Sequence, residues 1–90
     1  MEDQGVCGSI MAVLLSKRAE SALEVQKVLT EHGCIIRMRL GLHEASKDYC
    51  AEEGLILLHV CGSGEEAAAL ERDLSSVEGV RVKTMELRDL

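Results

Sequence analysis

His32-Gly33-Cys34-Ile35-Ile36-Arg37-Met38-Arg39-Leu40-Gly41-Leu42-His43 is the stretch in which the chain changes its period. Upstream, Ala22, Val25, Val28 and Leu29 recur at helical spacing, while Glu20, Glu24, Lys27 and Glu31 fall elsewhere. From residue 34 to 43 the repeat drops to two. Ile36, Met38, Leu40 and Leu42 take one side, and Ile35, Arg37, Arg39, Gly41 and His43 take the other. A helix therefore ends at Gly33, which suits a left-handed C-cap, and a half-buried strand follows.

Working outward, residues 9–15 are short and almost continuously apolar, the pattern of a central strand buried on both faces. Ser16 is placed to N-cap the first helix, with Glu20 near its positive end. Residues 44–53 are polar without an apolar period and read as an exposed loop, after which residues 54–61 form a third, apolar strand. Ser63 and Glu66 have the spacing of a capping box, Ala67, Leu70, Leu74 and Val77 form the buried stripe of a second helix, and Gly79 stops it. Val80 and Val82 then alternate with Arg81 and Lys83 in a fourth strand. Residues 1–8 read as a flexible arm and residues 9–90 as one domain.

Strand-helix-strand occurs twice, which predicts an α+β, ferredoxin-like β-α-β-β-α-β fold: a four-stranded antiparallel sheet with both helices on one face. Right-handed crossovers put the first and third strands at its centre.

The chain has 90 residues, 47% of them hydrophobic, and Tyr49 is the single aromatic, so the core must be aliphatic. A domain this short buries roughly 60% of its unfolded surface, and assembly would help it. A net charge of −6 opposes sequence-independent nucleic-acid binding, which needs clustered cations. The first residues lack a cationic region followed by an apolar run, and no segment reaches the roughly 20 apolar residues of a membrane span. The expectation is a cytoplasmic protein whose four cysteines, Cys7, Cys34, Cys50 and Cys61, stay reduced as small hydrophobes.

With both helices on one side, the other sheet face shows apolar residues to water and marks an interface, so a homo-oligomer, dimer or tetramer, is expected through this face or an edge. Arg37, Arg39 and His43 from the second strand, with Arg81 and Lys83 from the fourth, are expected to rim that face and accept a small anionic effector. The competing reading leaves these cations solvated or ion-paired.

His59 and Cys61 stand two apart on one strand face, a ligand pair for zinc, nickel or copper that His43 could extend. Ordinary packing in a strand is the alternative. No acidic orienting partner or oxyanion-hole pattern accompanies them, so no catalytic residue is assigned. Gly62-Ser63-Gly64 lacks the Lys-Ser/Thr of a phosphate loop and precedes Glu65 and Glu66, so capping explains it. Tyr49 and Cys50 fall in the long loop, where exposure alone accounts for them.

Glu31-His32-Gly33-Cys34-Ile35-Ile36, Arg39-Leu40-Gly41-Leu42, Gly54-Leu55-Ile56 and Gly79-Val80-Arg81-Val82-Lys83 together resemble the iron-only hydrogenase system regulators, small ACT-like domains related to the C-terminal domain of nickel-responsive repressors. The resemblance spans roughly residues 9–84. It implies a ferredoxin-like oligomer that binds a small effector or a metal, linked to transcriptional or hydrogenase-system regulation. The repressors' histidine pair falls where this chain has Arg37 and Arg39, so their nickel site is not matched. The leading expectation is thus a non-catalytic effector-binding module, with a metal-binding domain or a structural interaction module as alternatives. No cofactor is named by the residues.

Overall fold

The computed structural model describes residues 7–42 and 53–89. The expected arm up to residue 6, most of the loop after the second strand, and His43, Tyr49 and Cys50 lie outside the described residues. The elements run β1 (Ser9–Leu15), α1 (Arg18–Glu31), a 3-10 turn (Gly33–Ile35), β2 (Ile36–Leu42), β3 (Gly54–Val60), α2 (Gly64–Ser75), β4 (Val80–Glu86) and a closing 3-10 turn (Leu87–Asp89). The strands form one antiparallel sheet in the order β2-β3-β1-β4, the ferredoxin-like α+β arrangement with β1 and β3 inside.

Side-chain alternation explains why the two central strands carry apolar residues on both faces. In β1, Met11, Val13 and Leu15 are buried, whereas Ile10, Ala12 and Leu14 point to the opposite face and are only half-buried. In β3, Leu58 and Val60 join the core while Leu55, Leu57 and His59 share the other side. Val25, Val28 and Leu29 of α1 and Leu70 and Leu74 of α2 close over the first set, and α2 runs along β4. The core is therefore a sandwich of one sheet face and two helix stripes.

Two helix boundaries differ from the sequence expectation. Ser16 does not cap α1, whose N-cap is Lys17 without a side-chain bond. The Ser16 hydroxyl instead donates to the carbonyl of Gly79 at 3.1 Å, and Ser21 donates to that of Glu78, so both hydroxyls fasten the turn into β4. Gly79 holds this turn at φ +82°. Gly33 adopts no left-handed conformation; His32 caps α1 and Gly33 opens the 3-10 turn, which takes up Cys34 and Ile35 and delays β2 to Ile36. The Ser63–Glu66 capping box is present in both directions, at 3.0 and 2.8 Å.

Candidate functional site

The face without helices is ruled in rows by the strand register. Met38, His59, Ile10 and Met85 make one row; Leu40, Leu57, Ala12 and Lys83 the next; Leu42 pairs with Leu55, which stands beside Leu14 and Arg81. The Leu40 row is thus apolar across β2, β3 and β1, the Leu55 row is apolar across β3 and β1, and both become cationic at β4. Met38 (47% exposed), Leu40 (49%) and Met85 (47%) are among the large apolar side chains most open to water. Contiguous patches of this sort mark places where another surface docks.

The register corrects the expected cationic rim. Arg81 and Lys83 do project on the open face, exposed beside Leu14 and Ala12. Arg39 does not: it sits opposite Leu58, on the helix side, and donates to Oε1 of Gln26 in α1 at 2.7 Å. Arg37 falls in a register shift between Ile36 and Met38, where β2 gains a residue, and is exposed there. The cause lies in β2 being an edge strand. The helices cover β1 and β3, so beyond Ile36 the helix side of β2 is wet and accepts charge, while the apolar set joins the row of neighbours on the open side.

A second feature lies at one end of the same face. His59 and Cys61 project together, with Nε2 3.5 Å from Sγ, as their spacing predicts. Their third companion is Cys7. It is bonded to Cys61 in a disulfide with Cα atoms 5.8 Å apart, which corrects the expectation of reduced, buried thiols; Cys34 is free and exposed. Cys7 is brought there by Gly8, whose φ of +85° and contact with the Val60 backbone leave no room for a Cβ. The Leu87 N–H donates to the Gly8 carbonyl at 3.0 Å, so this segment, read from the sequence as part of an arm, is held by two elements. Cys7 escaped the sequence reading because 54 residues separate it from Cys61. Gly8 beside Cys7 was the available clue.

A polar cleft lies beside the first turn of α1, bordered by Ser16, Lys17, Glu20, Ser21 and Glu78. Its hydroxyls are engaged with the Glu78 and Gly79 carbonyls, and its carboxylates disfavour an anion.

The chain matches no protein-family model and no curated protein. Among solved structures it is similar to the uncharacterized protein TM1266 from Thermotoga maritima, with a TM-score of 0.74 and 24% identity over 88% of this chain and 94% of that one. The likeness supports the ferredoxin-like fold and carries no activity with it. Among the described residues no helix is long and apolar enough to cross a membrane.

Proposed function

We propose that this protein is a non-catalytic, oligomeric binding module of the regulatory kind, in which a second copy covers the open sheet face and a small anion is held at its cationic margin. One observation carries the reading: β1 and β3 carry apolar side chains on both sides, yet among the described residues the helices cover only one. Strands of that composition are stable when both faces are dry. An identical chain is the partner always present at matching concentration, and a twofold axis lets one self-complementary patch serve both copies. Arg81 and Lys83 stand at the β4 side of the patch, where guanidinium and ammonium groups suit a carboxylate or phosphate. The resemblance to the hydrogenase-system regulators agrees with such a role.

The methionines supply a test. Met38 and Met85 lie on the open face and Met11 is fully buried beneath the helices. Peroxide converts accessible thioethers to sulfoxides. In concentrated protein Met38 and Met85 should be protected, and dilution should expose them while Met11 stays protected. Equal oxidation of Met38 and Met85 at all concentrations would remove the second copy from the face. Anion binding is read separately: small carboxylates and phosphates should raise the melting temperature, and Arg81→Ala should abolish the rise.

A further inference from the structure

The corner formed by Cys7, His59 and Cys61 is a donor set of a particular chemistry. Their sulfur and imidazole nitrogen atoms all lie within 4.8 Å of one another, two sulfurs joined here as a disulfide and one imidazole. A zinc ion with Zn–S near about 2.3 Å and Zn–N near about 2.0 Å places tetrahedral ligands roughly 3.5–3.8 Å apart. The 3.5 Å between His59 Nε2 and Cys61 Sγ already has that span. The backbone behind the donors is fixed: the Cys61 N–H donates to the Ile35 carbonyl at 2.8 Å, His59 is in an interior strand, and Gly8 is pinned against Val60.

We propose that, once the Cys7–Cys61 bond is reduced, this corner binds one zinc ion through Cys7 Sγ, Cys61 Sγ and His59 Nε2, with water in the fourth position. A small thiol or phosphine reductant supplies the two electrons and, with two protons from solvent, the disulfide becomes two thiols. Each thiol gives up its proton to the medium as it ligates. His59 Nε2 lies 2.9 Å from the Cys7 carbonyl, which can only accept, so this nitrogen carries the proton in the disulfide form. Metal binding moves that proton to Nδ1 and turns the Nε2 lone pair to the ion. Oxidation closes the site, because a disulfide offers no thiolate. All three ligands come from one chain, so the site does not depend on the proposed assembly.

The test uses the full chain without an affinity tag, reduced by a phosphine and freed of metal. Zinc is added against a chromophoric chelator, and cobalt(II) serves as a spectroscopic stand-in. The expected result is one tightly held ion per chain, a thiolate-to-cobalt charge-transfer band, and loss of both in Cys7→Ser, Cys61→Ser and His59→Gln. Cys7 is exposed at the start of the described chain, so Cys7→Ser tests ligation without disturbing the core. Cys34→Ser, which removes the exposed free thiol, should bind as the parent does. The proposal is overturned by reduced protein without stoichiometric zinc, by equal binding before and after reduction, or by a folded Cys7→Ser or His59→Gln protein that binds as the parent does.

Discussion

Replacing Leu40 by alanine separates the open face from the rest of the molecule as a determinant of assembly. Leu40 lies between Met38 and Leu42 on β2, opposite Leu57. Full burial of a leucine side chain is worth about 2 kcal/mol, and Leu40 retains 49% of its exposure in the single chain. Covering it in a dimer therefore contributes about 1 kcal/mol per copy. A twofold interface presents the residue twice, so Leu40→Ala should weaken dimerisation by about 2 kcal/mol, roughly 30-fold in Kd. Sedimentation velocity over a concentration series, with a reductant present, reads this directly. Leu23, 83% exposed on α1, is the control, and Leu23→Ala should leave the Kd unchanged. An unaltered Kd in Leu40→Ala, or an equal loss in Leu23→Ala, would refute the assignment of the interface to the sheet face.

Three substitutions test how the fold holds that face in place. Leu70→Ala empties a fully buried position against the sheet and should lower the unfolding free energy by about 2–5 kcal/mol in denaturant titration. Gly79→Ala forces a side chain into φ +82° and brings its Cβ 3.0 Å from the Ser16 hydroxyl; a cost of about 1–2 kcal/mol should appear in the melting curve. Ser63→Ala removes the hydroxyl that accepts from the Glu66 N–H and should cost about 1 kcal/mol, with Ser63→Asp restoring most of it.

The central frame was legible because its signals are local. The change of period after Gly33, the Ser63–Glu66 box and the apolar runs at residues 9–15 and 54–60 each act within a few residues, and together they allow few topologies. What periodicity cannot say is which of two faces a helix will cover. The alternation in β2 separated Met38 and Leu40 from Arg39 but grouped Ile36 with them, whereas the register with β3 turns Ile36 to the core beside Val60 and Met38 and Leu40 away from the helices. The extra residue at Arg37 is likewise a property of pairing, invisible in one strand read alone. For the sulfur–imidazole corner, two-residue spacing at the end of β3 revealed His59 and Cys61, while Cys7 arrives through a glycine turn from the far end of the sequence.

Sedimentation equilibrium of the reduced, intact chain tests the central claim most directly, that a second copy covers the open sheet face. A single chain has a mass of 9.8 kDa. The account predicts a species of twice that mass, or a tetramer built from such pairs, dissociating as the protein is diluted. A lone 9.8 kDa species at every concentration reached would contradict it.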